Sequence, residues 1–151
     1  MAKLQNKKVG VIAIDPASLC PTVSSLENVV HLKDTAEQVS HNQGDILAEA
    51  ANKLVGESWR DKLRLLMCDA NLDIRDSLRE LVLPFLTFLC SGGVAVVTVK
   101  LGRRVGVTGV ERKYEITRKL LQEYGFREDS IRFHWLFSNS KNERTVIAVM
   151  K

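Results

Sequence analysis

The sequence predicts an α/β domain whose sheet is mostly parallel and whose last strand is antiparallel. Short apolar runs alternate along the chain with segments in which apolar residues recur at helical spacing. This alternation is typical of parallel strands joined by right-handed crossovers. Only residues 138–144 separate the last two strand-like runs, at residues 131–137 and 145–149. A connection that short cannot cross over, so this final pair is expected to be antiparallel.

The individual elements follow from local patterns. Predicted strands cover residues 8–14, 28–32, 63–68, 94–99, 131–137 and 145–149, and predicted helices cover residues 45–55, 73 to about 90, and 110–124. Gly56 and Gly125 each follow a helical pattern and are expected to end those helices. Asp73 or Asp76 is expected to cap the second helix, and Pro84 to kink it.

Two further local predictions concern loops and burial. Residues 15–27 contain two prolines and three serines, which predicts a loop. Ser91, Gly92 and Gly93 predict a tight turn into the strand at 94–99. That strand is rich in β-branched residues, a composition typical of a strand covered on both faces.

Size and composition indicate one globular domain covering residues 1–151. The chain has 45% hydrophobic and 26% charged residues and a net charge of +4, which is compatible with a polyanionic partner without requiring one. The apolar run at residues 81–90 is about half the length of a membrane span, so no membrane partner is expected. Three cysteines without paired spacing predict a reducing intracellular compartment (cytoplasm, nucleus or organelle). No metal site is expected, because the three histidines lack ligand spacing.

Charged residues stand where the predicted strands end. Asp15, Asp69 and Lys100 follow apolar runs, and Glu143 precedes the last strand. In an open α/β sheet, ligands bind outside the carboxyl edge of the strands. The antiparallel last pair places Glu143 on that same edge, so Asp69, Lys100 and Glu143 are expected to converge. Asp15 is placed to accept hydrogen bonds from ribose hydroxyls.

Lys100 has two interpretations that the sequence leaves open. Its apolar neighbours predict partial desolvation of the ammonium group and a lowered pKa, as in a proton-handling lysine. The alternative is a structural salt bridge between Lys100 and Asp69 across adjacent strands. Both interpretations predict contact between these two residues, and only the functional one needs open space beside them.

Two further groups of residues lie outside this cluster. Arg103 and Arg104 lie in a basic loop that can contact the phosphates of a nucleic-acid backbone. The basic residues of the following helix alternate with glutamates, which is equally typical of a solvated helix face. The aromatic residues Phe133, Trp135 and Phe137 are expected to be core residues.

Five segments, in order, resemble the FtsJ-like family of RNA ribose 2'-O-methyltransferases, which use S-adenosylmethionine. They are residues 8–16 (KVGVIAIDP), 32–35 (LKDT), 66–71 (LMCDAN), 92–100 (GGVAVVTVK) and 138–144 (SNSKNER). The resemblance implies a Rossmann-like methyltransferase sheet. It also implies that Asp69, Lys100 and Glu143 are catalytic, and that Asp15, Asp34 and Asp69 bind the cofactor.

The chain departs from the family pattern at its start. The family's first strand, its glycine-rich methionine-binding loop and the first lysine of its Lys-Asp-Lys-Glu tetrad have no counterpart in the sequence. The chain is therefore expected to be the C-terminal part of a larger domain, or to gain the missing strand from a homo-oligomer or a complementing chain. The alternative is that the strand ending before Asp15 pairs directly with the strand ending before Asp69.

The resemblance implies methyl transfer from S-adenosylmethionine to an RNA ribose 2'-hydroxyl, with rRNA as the expected substrate. In this interpretation Lys100 helps to deprotonate the hydroxyl, while Asp69 and Glu143 hold and polarise the lysine. A second interpretation is a catalytically inactive scaffold of the same fold that associates with RNA or the ribosome. A third is a methyltransferase of the same fold that acts on a small molecule or a protein.

Overall fold

The structure, a computed structural model, describes residues 9–41, 45–56, 63–102 and 106–151. These residues form two compact units, Met1–Arg60 and Asp61–Lys151, and each unit is described by itself. Within the described ranges, no helix combines the length and the apolar character needed to cross a membrane. The elements, in chain order, are β1 (Val11–Ile14), α1 (Pro21–Ser24), β2 (Val29–Leu32), α2 (Ala36–His41), α3 (Asp45–Val55), β3 (Leu63–Cys68), α4 (Ile74–Asp76), β4 (Leu89–Lys100), α5 (Val107–Glu123), β5 (Arg132–His134) and β6 (Glu143–Val149).

The described part of the first unit contains a parallel pair of strands and three helices. β1 pairs with β2 in a register that sets Val11 beside Val29 and Ile14 beside Leu32. The predicted helix at 45–55 is confirmed, and Gly56 follows it with a positive φ of 81°, a conformation in which glycine lacks the steric cost of other residues. The loop prediction for 15–27 was wrong at α1, because Pro21 supplies a preset φ for the first turn of a helix. α2 was not predicted, since six residues are too few for a helical repeat to stand out.

The second unit contains a four-stranded sheet in the order β3-β4-β6-β5. β3 and β4 are parallel, and β6 is antiparallel to both of its neighbours, β4 and β5. The predicted antiparallel last strand is therefore confirmed. Among the described strands, β1 and β3 belong to different sheets, so the alternative that these two strands pair directly was wrong: β1 pairs with β2, and β3 pairs with β4.

The core of this unit lies on one face of its sheet. Ala95, Val97 and Val99 of β4 pack in one cluster with residues of α5 and of the helical segment that follows β3. The alternate residues of β4 are only partly buried, so the expectation that both faces of this strand are covered is not met in the described second unit. On β3, Leu65 and Met67 are exposed by 49% and 68%.

The helix predicted from Asp73 to about residue 90 is irregular and shorter than expected. Asp73 caps α4 by accepting a hydrogen bond from the Arg75 amide. A π-helical turn (Ser77–Val82) and a 3₁₀ turn (Leu83–Phe88) follow. Pro84 lies at the start of the 3₁₀ turn and has no N–H to donate to an α-helical hydrogen bond, which is the physical reason that the α-helix does not continue.

The predicted turn at residues 91–93 is part of β4. The Gly92 amide donates to the Met150 carbonyl at 3.1 Å, and the Met150 amide donates to the Gly93 carbonyl at 2.9 Å. The pairing between β3 and β4 shifts register across this segment. Gly92 has a φ of 74°, and a Cβ on Gly93 would lie 2.8 Å from the Cys90 carbonyl oxygen. Both positions therefore require glycine because the strand is irregular here, and not because the chain makes a turn.

Candidate functional site

Lys100 lies between two carboxylates at one end of the four-stranded sheet. Its Nζ donates hydrogen bonds to Glu143 Oε1 at 2.7 Å and to Asp69 Oδ1 at 3.1 Å. The predicted convergence of these three residues is confirmed as a contact. Their catalytic role stays a prediction.

The strand register explains why residues so far apart in sequence meet. Lys100 ends β4 and pairs directly with Glu143, which begins β6. Residues directly opposite in an antiparallel pair project on the same face of the sheet. Asp69 follows the last residue of β3, the parallel neighbour of β4 on its other side. The three side chains therefore belong to three adjacent strands.

The cluster is open on the side of Asp69. The Lys100 and Glu143 side chains are exposed by only 20% and 23%, whereas the Asp69 side chain is exposed by 76%. A ligand can therefore approach Asp69 and the Lys100 ammonium beside it from solvent. This is the open space that the functional interpretation of Lys100 requires.

The expected lowering of the Lys100 pKa was wrong. Burial alone would lower the pKa of Lys100, but its hydrogen bonds to Glu143 and Asp69, together with their negative charges, outweigh burial and raise the pKa above its ordinary value. Lys100 is therefore a cation at neutral pH. In this state it can donate hydrogen bonds and stabilise negative charge, and it cannot accept a proton.

Glu143 is held in its ionised form. The Lys100 ammonium and the Ser140 amide, which donates to Glu143 Oε2 at 2.9 Å, lower the pKa of Glu143 below its usual value of 4.5. A lowered folded-state pKa contributes stability that is present above the unfolded-state pKa and is lost as the pH falls through the folded-state pKa.

Glu143→Gln is therefore expected to be less stable than the wild type by about 1 kcal/mol or less at pH 7, since the ion pair is partly exposed to solvent. This difference in the free energy of unfolding should shrink as the pH falls below about 4.5, the usual value. Urea unfolding of both proteins at a series of pH values measures it. A difference that stays constant from neutral to acid pH contradicts the prediction.

A second lysine, which the sequence did not single out, adjoins the cluster. Lys113 Nζ donates to the Lys100 carbonyl at 2.9 Å and to Asp73 Oδ2 at 2.8 Å. It thereby links the end of β4 to the start of α4. In the sequence, Lys113 lies among the alternating charges of α5, a pattern typical of a solvated helix face. Only the contacts that Lys113 makes in the folded chain distinguish it from the other basic residues of this helix.

A cavity of about 480 Å³ lies between the starts of α4 and α5 and includes Lys113 in its lining. Arg75 and Arg112 also line this cavity, with Asp73 as its acidic residue. Three of its seven lining residues are therefore cations, and Ile74, Gly109 and Ile116 make up the apolar part of the lining. Arg103 and Arg104, the basic residues that the sequence predicted to contact RNA, lie outside the described residues.

The predicted cofactor-binding acids Asp15 and Asp34 belong to the first unit and follow its two strands. Asp15 Oδ1 accepts a hydrogen bond from the Ala17 amide at 2.7 Å, and Asp34 Oδ1 accepts one from the Thr35 amide at 2.8 Å. These bonds orient each carboxylate. No described residue donates a hydrogen bond to Oδ2 of either carboxylate, so this oxygen is available to hydroxyl or amino donors.

Two of the three aromatic residues that were expected in the core are on the surface. Phe133 does pack inside, stacked on Tyr114 with ring centroids 4.1 Å apart. Trp135 is 66% exposed and Phe137 is fully exposed. The prediction was wrong because β5 ends at His134, so the in-out alternation of a strand does not reach Trp135 or Phe137.

Comparison with known proteins gives structural likeness alone. No protein-family model matches the chain, and no curated protein matches it. A fibrillarin pre-rRNA processing protein from Methanococcus jannaschii is similar in structure, with a TM-score of 0.62 and 15% identity over 93% of this chain and 56% of that one. A putative hemolysin from Streptococcus thermophilus has a TM-score of 0.53 and 19% identity over 95% of this chain and 52% of that one.

At these identities the likeness establishes the fold. The chain has a mixed α/β fold that is consistent with a Rossmann-like sheet. It spans about half the length of the solved structures that it matches.

Proposed function

We propose that this chain takes part in S-adenosylmethionine-dependent methylation of an RNA ribose 2'-hydroxyl, with rRNA as the substrate. One observation carries the proposal: Lys100 is held between Asp69 and Glu143 at a solvent-accessible strand end. The likeness to a pre-rRNA processing protein supports it. The resemblance of the sequence to the FtsJ-like family, in which three residues of the catalytic tetrad match this cluster, supports it as well.

The charge states of the cluster assign separate roles to its residues. Lys100, a cation, donates a hydrogen bond to the ribose 2'-oxygen and fixes the direction of the oxygen lone pair. The exposed Asp69 carboxylate would accept the hydroxyl proton as the 2'-oxygen takes the methyl group, and the cofactor would leave as its neutral thioether once the bond from that methyl carbon to the sulfonium sulfur has broken. Glu143 keeps Lys100 charged and in place. Catalysis then rests mainly on positioning, and Lys100 orients the nucleophile rather than deprotonating it.

The acids of the first unit fit the adenosine half of the cofactor by their donor-acceptor chemistry. Asp15 would accept hydrogen bonds from the ribose hydroxyls, and Asp34 would accept one from the adenine amino group. Each presents an oriented carboxylate, and a carboxylate at the end of a strand is the usual ribose ligand in nucleotide-binding sheets. When bound, S-adenosylmethionine supplies an electrophilic methyl group on a sulfonium centre.

The cations near the cluster suit an RNA backbone. Lys113, Arg75 and Arg112 border the cavity beside the end of β4, and lysine and arginine side chains bind phosphates with an affinity that falls as salt rises. In the sequence, Arg103 and Arg104 lie shortly before Arg112 and Lys113.

The test is a methylation assay with an alkaline digest. The chain, together with any segment that precedes it in the natural protein, is incubated with rRNA and methyl-labelled S-adenosylmethionine. A methylated 2'-oxygen cannot attack its neighbouring phosphate, so label is expected in alkali-resistant dinucleotides. Label in mononucleotides alone would place the methyl group on a base and would overturn the ribose assignment.

A catalytically inactive scaffold is the second candidate. The raised pKa of Lys100 favours it, because an ammonium group satisfied by two carboxylates is also what a structural salt bridge would show. Isothermal titration with S-adenosylmethionine separates the two candidates. The enzyme requires saturable heat that Asp15→Ala weakens, whereas a scaffold gives no saturable heat.

A further inference from the structure

The loop between β5 and β6 exposes aromatic side chains and contacts the Lys100 cluster at its other end, through Ser140 and Asn142. We call residues 135–142 the aromatic loop. Trp135 and Phe137 are largely or fully exposed, and Leu136 between them is 42% exposed. Three consecutive exposed apolar residues are unusual on a protein surface and indicate a binding surface.

The aromatic loop is held in one conformation by its own polar side chains. Asn139 Oδ1 accepts hydrogen bonds from the Leu136 amide at 2.9 Å and from Thr145 Oγ1 at 3.1 Å. The Asn139 amide donates to the Leu136 carbonyl at 3.0 Å. Phe137 lies in the sequence between Leu136 and Asn139, the two residues whose hydrogen bonds close this turn. The backbone conformation that exposes Phe137 is therefore fixed before a ligand binds, and binding does not have to order this part of the chain.

The loop is also joined directly to the Lys100 cluster. The Leu101 amide, next to Lys100, donates to the Asn142 carbonyl at 2.8 Å. The Ser140 amide donates to the same Glu143 carboxylate that binds Lys100. A nucleotide whose ribose reaches Lys100 therefore has the aromatic loop beside it.

The chemistry of the loop favours a nucleobase over an apolar protein or a lipid. The Arg144 guanidinium lies 4.9 Å from the centre of the Trp135 ring, in the cation–π arrangement that accompanies base stacking in single-strand binding proteins. Lys141 adds a second positive charge, and Ser138 and Asn142 supply hydrogen-bonding groups. Aromatic rings interleaved with cations bind single-stranded RNA, whose unpaired bases stack on them.

We infer that the aromatic loop is a stacking platform for unpaired bases of single-stranded RNA, with Phe137 and Trp135 as its stacking residues. The inference rests on the proposed function for the position of the target ribose. It adds that bases neighbouring that ribose are unstacked and bound here, so a single-stranded segment is the preferred substrate over a duplex.

The test uses the fluorescence of Trp135. The chain has two tryptophans, so Trp59→Phe leaves Trp135 as the sole tryptophan. This variant is titrated with a short single-stranded oligoribonucleotide and, separately, with an abasic strand that carries the same phosphates. Stacking predicts that the base-bearing strand quenches the emission and that the abasic strand binds more weakly.

Substitutions of Phe137 identify the interaction. Loss of one stacked base predicts a dissociation constant roughly 5- to 150-fold higher for Phe137→Ala, and Phe137→Leu, which is apolar but has no π system, should be nearly as weak. Leu83→Ala, which removes an exposed apolar side chain elsewhere in the second unit, is the matched control and should bind as the wild type does.

Three results would overturn the inference. They are equal affinity for the base-bearing and abasic strands, full affinity in Phe137→Ala, and concentration-dependent self-association that Phe137→Ala abolishes. The last would assign the loop to contacts between copies of the chain. These binding results are independent of methyl transfer. RNA binding that depends on Phe137, without methylation, supports the stacking platform and contradicts the proposed enzyme activity. Methylation and RNA affinity that both stay intact in Phe137→Ala support the enzyme activity and contradict the stacking platform.

Discussion

Replacing Lys100 with alanine is expected to lower the rate of ribose methylation by roughly 10²- to 10⁴-fold, a range typical of removing one positioned proton-handling or charge-stabilising group. The Lys100 ammonium is the group that bridges Asp69 and Glu143, at 3.1 and 2.7 Å. Without it, the 2'-oxygen loses its orienting hydrogen bond, and the two carboxylates are left to repel each other. Initial rates at saturating RNA, measured as alkali-resistant label, give the effect.

Two controls make this experiment specific. Lys119 is an exposed lysine on α5, and Lys119→Ala removes the same charge from the chain without touching the cluster, so its rate should stay near that of the wild type. S-adenosylmethionine binding should be retained in Lys100→Ala, because the acids expected to hold the adenosine half are Asp15 and Asp34. Unaltered turnover in Lys100→Ala would contradict a catalytic role and favour the structural salt bridge.

Phe126→Ala is expected to cause the largest loss of stability, about 3–5 kcal/mol in the free energy of unfolding. Phe126 has 0% exposure and is the largest fully buried side chain of the described residues. It packs in the cluster that joins β4 and β6 to α5, so truncation removes apolar contacts and leaves a cavity among side chains that cannot all move in. Urea unfolding followed by circular dichroism measures the change.

Phe137→Ala is the matched control for this prediction, because it deletes the same atoms from a fully exposed position. Its free energy of unfolding should lie within about 0.5 kcal/mol of the wild-type value. A loss of similar size in both variants would show that Phe137 is buried in solution, and it would contradict the exposed position on which the stacking platform depends.

Much of the fold could be predicted because the relevant signals are local. The helix Asp45–Val55 has a full helical repeat and a terminal glycine, and both can be identified without knowing what the helix packs against. The strands could be predicted from the length and composition of the apolar runs in the sequence. The antiparallel direction of the last strand could be predicted from its short connection alone. Because this direction places Glu143 beside Lys100, their proximity could be predicted as well.

Two of the failures have the opposite property, since they depend on groups distant in sequence. The direction of the Lys100 pKa shift is a balance between burial and two carboxylates contributed by other strands. The sequence suggested burial but could not weigh it against hydrogen bonds of 2.7 and 3.1 Å. The irregular strand at Gly92 and Gly93 likewise depends on pairing with Met150 at the far end of the chain.

Local sequence patterns were sufficient to place Asp69, Lys100 and Glu143 at one edge of the sheet. The reason is that the positions of strand ends and the direction of the last strand can be predicted from short stretches of sequence. The folded chain alone revealed the charge that Lys100 carries and the surface position of Trp135 and Phe137. The physical reason is that electrostatic balance and burial are sums over neighbours in space. Those neighbours, such as Glu143 for Lys100, are separated from the residue by many positions along the chain.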